Sequence, residues 1–271
     1  MKTISIFYFS GTGNTKYAVD YFVSQINKKG FDATSYSIEY ELEFDLIAKV
    51  SDIVLFFYPI YVSDLPNNMK EFINKLPSQK LDVGTICTQY MFSGDGGYVF
   101  NKKLRKKGYN HKWSFQVNMP NNLCMPSFPI KTIDDYQKLE PKLVKSKKKI
   151  DKIIEIIGSE KTHLSDKGIL NLIAGLTQRP FYNFSISKNQ KSLNVNTDKC
   201  TRCALCISAC PKNVIVEEGD IVDHFDKKNC VSCFRCINFC PFEAIEYNGK
   251  LKKPLYKGPT KQIYKQLFTK K

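Results

Sequence analysis

The chain reads as an α/β protein, a five-stranded doubly wound parallel sheet followed by a small α+β domain. Three observations predict this. Near-continuous apolar runs at 3–9, 53–57 and 81–87 suit parallel strands covered on both faces. Helix-period stretches at Lys16–Lys28 and about Pro66–Leu76 alternate with those runs. Far down the chain, eight of the ten cysteines fall into two copies of one tight spacing, which marks a second domain. A length of 271 residues suits two domains.

The first strand, Thr3–Phe9, is β-branched and aromatic. It runs into Ser10-Gly11-Thr12-Gly13-Asn14-Thr15 and then into a helix carrying Tyr17, Ala18, Tyr21, Phe22 and Ile26. A strand, a hydroxyl- and glycine-rich loop and a helix start make an anion cradle, because free N–H groups and the positive end of the helix face the ligand. The loop has neither the lysine of a Walker motif nor G-x-G-x-x-G. Hydroxyls, Asn14 and backbone amides must therefore hold a phosphate. The plain alternative is an ordinary Ser/Thr helix cap. S-G-T-G-N-T after a first strand resembles the flavodoxins, whose equivalent loop binds the phosphate of FMN.

That resemblance places further residues. The strand at Ile53–Phe57 ends in Tyr58-Pro59-Ile60-Tyr61-Val62, and that at Leu81–Cys87 ends in Thr88-Gln89-Tyr90 and Gly94-Asp95-Gly96-Gly97. In flavodoxin-like folds the corresponding loops flank the flavin ring, at the carboxyl ends of the strands. Pro59, Ile60, Tyr61, Thr88, Gln89 and Tyr90 are the expected ring contacts, with Tyr61 and then Tyr90 as the stacking aromatic. The four residues Gly94, Asp95, Gly96 and Gly97 are expected to let the backbone approach the ring. A strand at about Trp113–Val117 ends in Asn118-Met119-Pro120-Asn121-Asn122, expected near the flavin edge. A helix with Leu139, Leu143, Ile150, Ile153, Ile154 and Ile157 closes the domain, with Lys145, Lys147, Lys148, Lys149 and Lys152 on its solvated face.

The cysteines carry the more specific signal. Cys200, Cys203, Cys206 and Cys210 precede Pro211; Cys230, Cys233, Cys236 and Cys240 precede Pro241. C-x2-C-x2-C-x3-C-P is the ligand run of two-cluster bacterial ferredoxins, in which the fourth cysteine of each run ligates the other run's cluster. One [4Fe-4S] cluster is expected on Cys200, Cys203, Cys206 and Cys240, the other on Cys230, Cys233, Cys236 and Cys210. Each proline stops a short helix. Zinc knuckles use two cysteines each with a long gap between, and disulfides suit neither this spacing nor a chain without a secretory signal. Flanking Leu193–Val195, Val214–Val216, Ile221–Asp223 and Ala244–Glu246 read as strands related by a pseudo-twofold. Phe234 and Phe239 are expected to shield the clusters.

Together these motifs, with Y-P-I-Y, T-Q-x9-G-Y and M-P-N-N, make residues 1 to about 249 resemble the fused flavodoxin–ferredoxin proteins of anaerobic bacteria known as EFR1-family ferredoxins. The resemblance implies a flavodoxin-like FMN-binding domain at 1–158 and a two-[4Fe-4S] ferredoxin domain at 191–249. Residues 159–190 read as a helical connector rather than a free linker, and 250–271 as a basic tail. Implied with the fold is electron transfer between two [4Fe-4S] clusters and FMN, as a low-potential carrier. The alternative is a reductase of a quinone, nitro compound or activated alkene, with Tyr61, Tyr90 or Asp95 as proton donor.

Composition sets the remaining bounds. A formal charge of +15 comes from 41 basic residues, of which only Arg105, Arg179, Arg202 and Arg235 are arginine. Nucleic-acid readers lean on arginine forks, so no nucleic-acid partner is expected. Two cubanes and a phosphate would offset roughly six of those charges. An acidic redox protein docking near Lys102, Lys103, Arg105, Lys106 and Lys107, or on the tail from Lys250, fits better, alongside a small-molecule acceptor. No membrane span is legible, and cysteine used as ligand points to the cytoplasm of an organism with little oxygen. Cys87 reads as structural. Cys124, near the expected flavin edge, reads as structural or reactive. His111, His163 and His224 lie outside the expected flavin loops.

Overall fold

The computed structural model describes residues 1–92, 94–165, 168–224 and 226–268, the side chain of His224 excepted. The chain divides into two compact units. The first comprises Met1–Ser10, Asn14–Met119 and Lys142–Tyr182; the second comprises Gly11–Gly13, Pro120–Pro141 and Asn183–Lys271.

In the first unit β1 (Thr3–Tyr8), α1 (Asn14–Asn27), β2 (Asp32–Ser37), α2 (Phe44–Lys49), β3 (Ile53–Pro59) and α3 (Asn67–Lys75) alternate. They are followed by β4 (Asp82–Gln89), α4 (Gly96–Arg105), β5 (Asn110–Asn118), α5 (Tyr136–Gly158, in this unit from Lys142), β6 (His163–Leu164) and α6 (Ile169–Gln178). The sheet order is β2-β1-β3-β4-β5-β6, all pairs parallel. The 2-1-3-4-5 order is that of the flavodoxin-like doubly wound fold.

Successive residues of one strand supply both layers. Phe56 of β3 lies among Phe7, Phe72 and Phe100, and Phe44 meets Phe72 edge-on at 4.3 Å. The next residue, Phe57, points to the opposite face and meets Phe22 of α1 at 5.4 Å. Phe7, Phe22, Phe56, Phe57 and Phe100 are fully buried, and each contributes about 2–3 kcal/mol of transfer free energy. Gly84 of β4 permits close closure over the sheet, since a Cβ there would lie 2.7 Å from Leu55 and 3.1 Å from Trp113.

The sheet has one strand more than the five expected. β6 adds two pairs to the edge of β5, Trp113 with His163 and Ser114 with Leu164. The buried indole of Trp113 fixes the approach by donating Nε1–H to the carbonyl of Lys161 at 2.9 Å. A two-residue pairing leaves no apolar pattern for sequence to show.

The second unit is entered through α7 (Tyr182–Ser192, from Asn183), followed by β7 (Leu193–Val195), α8 (Leu205–Ala209), β8 (Ile215–Glu218), β9 (Ile221–His224), α9 (Arg235–Phe239), β10 (Ile245–Tyr247) and α10 (Lys261–Gln266). β7 pairs antiparallel with β10, and β8 with β9. The internal repeat is written in the backbone. Arg202 and Ser232 (φ 55° and 54°), Ala204 and Phe234 (58° and 56°), and Asn213 and Glu243 (51° and 54°) are left-handed pairs at the repeat offset. Non-glycine residues adopt this region at a cost, so its recurrence marks loops shaped to a common requirement.

The tail belongs to this unit. Tyr256 N–H donates to Asn238 Oδ1 at 3.0 Å, and Tyr136 OH donates to the Lys257 carbonyl at 3.1 Å. Thr260 caps α10 by accepting from Ile263 N–H at 3.2 Å. Its last three residues lie outside the described ones.

Candidate functional site

Two cavities in the second unit gather the eight run cysteines into two sets. Cys200, Cys203, Cys206 and Cys240 line one; Cys210, Cys230, Cys233 and Cys236 line the other. Each cavity thus takes three thiols from one run and the proline-preceding cysteine of the other run. Left-handed residues, Arg202 and Ala204 in one run and Ser232 and Phe234 in the other, recur between the ligand positions. Ser232 N–H reaches Cys230 Sγ at 3.4 Å, and Ala244 N–H reaches Cys240 Sγ at 3.2 Å.

Burial makes the free thiolates costly. It pushes Cys233 up to about 12 and Cys206 and Cys230 up to about 11, and raises Cys236 well above the ordinary thiol value. Cationic iron would supply the compensation that these positions lack, and the all-sulfur donor set fits iron–sulfur chemistry. Among the described residues no three His, Cys, Asp or Glu converge on a single-ion position.

The two cavities differ. Cys203 is exposed and Cys200 and Cys206 half-buried, whereas Cys210, Cys233 and Cys236 are buried. Arg235 deepens the difference, and no spacing or motif singles it out in the sequence. This side chain is fully buried, with Nε donating to the Gly11 carbonyl and Nη1 to the Ala209 carbonyl, each at 2.7 Å. Its charge favours the Cys233 thiolate, against the larger effect of burial. The repeat partner of Arg235 is Leu205, so the buried cation has no counterpart at that position in the first half. Comparing the two copies residue by residue exposes this.

Phe234 lines the second-run cavity, as expected of a shield. Phe239 instead packs against Tyr264 and Phe268, at 4.9 and 5.4 Å. Cys124 is fully buried, pushed up to about 12 by that burial, and receives Asn238 Nδ2–H at 3.7 Å; it is structural.

The residues expected around a flavin fall in both units. In the first, Ser10 Oγ accepts from Lys16 N–H at 3.1 Å, capping α1, and Thr15 and Thr88 share a hydroxyl hydrogen bond at 2.7 Å. In the second, Thr12 Oγ1 accepts from Asn122 Nδ2 at 2.7 Å. Gly13 has φ +99°, and a Cβ there would meet Ile263 at 2.6 Å. Asn14 opens α1, whose first turn carries no acidic residue.

Tyr61 is half-buried and exchanges two backbone hydrogen bonds with Asp64, both 2.9 Å, around left-handed Val62 and Ser63. Ile60 N–H donates to the Thr88 carbonyl at 3.0 Å, and Pro59 ends β3. The glycine loop is closely packed by its neighbours. A Cβ on Gly94 would lie 2.3 Å from Ser63 Oγ, and one on Gly96 would lie 2.1 Å from Ile60 Cδ1, while Gly97 is buried in α4. Ser93, between Tyr90 and this loop, lies outside the described residues.

Asp95, expected as a possible proton donor, is buried and accepts from Arg179 Nη2. The carboxylate is committed to that ion pair. Gln89 is buried, and its Oε1 has no hydrogen-bond partner among the described residues. Tyr90 is half-buried, with the Lys142 ammonium 5.4 Å from its ring centre. His111 is buried and hydrogen-bonded to Thr85 at 3.0 Å, and His163 stacks on Phe115 at 4.9 Å. The side chain of His224 lies outside the described residues.

The basic segments are partly engaged. Lys107 donates to the carbonyls of Asn74 and Leu76 at 2.9 and 2.6 Å. In the tail, Lys252 and Lys257 donate to the carbonyls of Ile130 and Asn238 at 3.0 and 2.8 Å. Lys102 and Arg105, on the last turn of α4, are both exposed. No helix among the described residues is long and apolar enough to cross a membrane.

Known proteins resemble the two parts of the chain separately. Residues 192–241 match the family model described as a 4Fe-4S dicluster domain. Solved structures similar to this chain include the two-electron reduced flavodoxin of Megasphaera elsdenii, at 26% identity over 44% of this chain and 90% of that one, TM-score 0.38. Others are a flavodoxin from the domain Archaea (15% identity, 58% and 99% covered, TM-score 0.41) and the oxidised flavodoxin 1 of Bacillus cereus (15%, 59% and 96%, TM-score 0.41). A comparison with curated proteins finds no match. The second unit carries an iron–sulfur domain of the ferredoxin type, and the first a flavodoxin-like α/β sheet.

Proposed function

We propose that the chain is an iron–sulfur flavoprotein in which two [4Fe-4S] clusters and FMN exchange electrons, acting as a low-potential redox carrier in anaerobic metabolism. One observation carries the cluster half of this reading: two cavities, each lined by three cysteines of one run and the fourth of the other. Cys200, Cys203, Cys206 and Cys240 would hold one cluster, and Cys230, Cys233, Cys236 and Cys210 the other. Inward N–H groups would offset the negative charge of each.

The flavin half is supported by the strand order and by the loops at the carboxyl ends of β1, β3 and β4. Residues Ser10–Thr15 would hold the phosphate, and Pro59–Tyr61, Thr88–Tyr90 and Gly94–Gly97 would frame the ring. The unpartnered Gln89 Oε1 offers the buried acceptor that an imide N–H requires. When bound, FMN accepts one or two electrons and so couples single-electron traffic to paired transfers. The protein's own tasks are spacing, burial and hydrogen bonding.

Asp95, a candidate proton donor of the reductase alternative, is ion-paired with Arg179. The exposed Cys203 suggests where a protein partner exchanges electrons, since the first-run cysteines are the more exposed. Anaerobic purification with iron, sulfide, zinc and flavin analysis tests the reading. About eight irons and one FMN per chain are expected. Zinc in place of iron overturns the cluster half, and iron-loaded protein that neither retains nor takes up FMN overturns the flavin half.

A further inference from the structure

Beside the loop after β4, the first unit contains a cleft of about 430 Å³ at the carboxyl ends of β4 and β5, walled by α5. Its size lies within the range of small-molecule sites. One side is apolar, made of the Tyr90 ring, Met91 and Met119. The other presents Lys142, Lys145 and Lys149, one face of α5 at spacings of three and four residues. The sequence pattern alone assigns Lys145 and Lys149 to a solvated face.

The three ammonium groups converge on one wall of the cleft. Lys16, Lys70 and Lys112 are each neutralised by a carboxylate, at 2.9, 2.7 and 2.5 Å. No carboxylate pairs with Lys142, Lys145 or Lys149 among the described residues. Like charges at these helical spacings repel, so the row opposes helix formation while facing a concave space. Burial of its stem also lowers the Lys149 pKa from the ordinary lysine value. An anion in the cleft would relieve the repulsion along the row.

The polar groups at the floor are already satisfied. Ser146 Oγ donates to the Asn118 carbonyl at 2.6 Å, which fastens α5 to the end of β5. Recognition is therefore left to the ammonium groups on one wall and the apolar surface on the other. The Lys142 ammonium already lies over the Tyr90 ring, as a cation–π pair that a flat ligand can extend.

We infer that this cleft binds a small carboxylate with a planar, apolar body, such as an aromatic or α,β-unsaturated acid. The carboxylate meets Lys145 and Lys149, and the body lies against Tyr90, Met91 and Met119. The cleft shares Tyr90 with the loop proposed to frame the flavin ring, but none of the phosphate-loop or glycine-loop residues lines it.

The test is methionine-methyl NMR on the anaerobically purified holoprotein, titrated with benzoate, benzamide and inorganic phosphate. Benzoate is expected to shift the Met91 and Met119 methyls saturably, phosphate to compete weakly and benzamide to do neither. The K145Q/K149Q double variant, altered only at exposed side chains, is expected to weaken benzoate about tenfold. Equal effects of benzamide and benzoate, or unchanged affinity in the double variant, overturn the inference. So does phosphate binding as tightly as benzoate, which would mark a simple anion site. Benzoate binding that occurs only after flavin is stripped also overturns it, since the cleft would then be the flavin's own.

Discussion

Arg235 is the residue on which the two cluster cavities differ most. A buried cation interacts with a charge about 5 Å away by roughly 3 kcal/mol at an effective dielectric near 20. That corresponds to on the order of 100 mV for one electron. Replacing Arg235 with leucine is expected to lower one of two cluster potentials by about that amount and leave the other nearly unchanged, as potentiometric EPR would show. Equal shifts of both potentials would contradict the assignment. Cys124 supports a second prediction. Its thiol moves from an ordinary 9.0 in the unfolded chain to about 12 when folded, because burial disfavours the thiolate. Its contribution is complete below pH 9, and between pH 9 and 12 the unfolded state holds fewer protons, so stability falls as pH rises. Denaturation midpoints should fall less steeply above pH 9 in Cys124→Ala than in the parent. Iodoacetamide should leave Cys124 unlabelled in the folded protein.

The element whose role was least expected is α6. Gln178 at its end accepts from Ser63 Oγ at 2.8 Å, Arg179 just beyond it binds Asp95, and a Cβ on Gly175 would overlap the Asp95 carboxylate. Within the first unit, this helix is fastened to the loops after β3 and β4. Removing Arg179 by substitution with methionine leaves a nearly buried carboxylate unpaired and should cost about 3–5 kcal/mol. Adding Asp95→Asn should recover most of that loss in chemical denaturation. β1, β3 and β4 were legible because strands covered on both faces are apolar throughout. β2 (Asp-Ala-Thr-Ser-Tyr-Ser) was not, because an edge strand carries polar residues and its pairing is backbone alone. The glycines after β4 were legible as a tight place, but not as one filled by Ser63, Ile60 and Gly175. Contacts between loops distant in sequence leave no local periodicity.

Across the whole molecule, charge is the most testable property. The bias of +15 is overwhelmingly lysine, while several lysines of the tail and of the α4 region cap carbonyls within their own units. Lys102 and Arg105 are exposed on α4. Electron transfer to an acidic redox protein should slow with ionic strength, and K102E/R105E should reduce that salt dependence. Stopped-flow rates at two salt concentrations would decide the matter, and no change in slope would move the docking face elsewhere. The cysteine runs were legible at this scale because ligand spacing is local chemistry. The Arg235 asymmetry was hidden because it resides in the difference between two copies.

The exchange of Cys210 and Cys240 between cavities also governs how the second unit is assembled. If each cavity takes a cluster as proposed, filling either one would join residues from both halves of the repeat, and the first cube would close the loop that the second would otherwise have to close. Metallation of the pair would then be cooperative. A preparation holding half its iron should be a mixture of full and empty chains rather than a population of half-filled ones, and Cys240→Ser should deplete both cubes together.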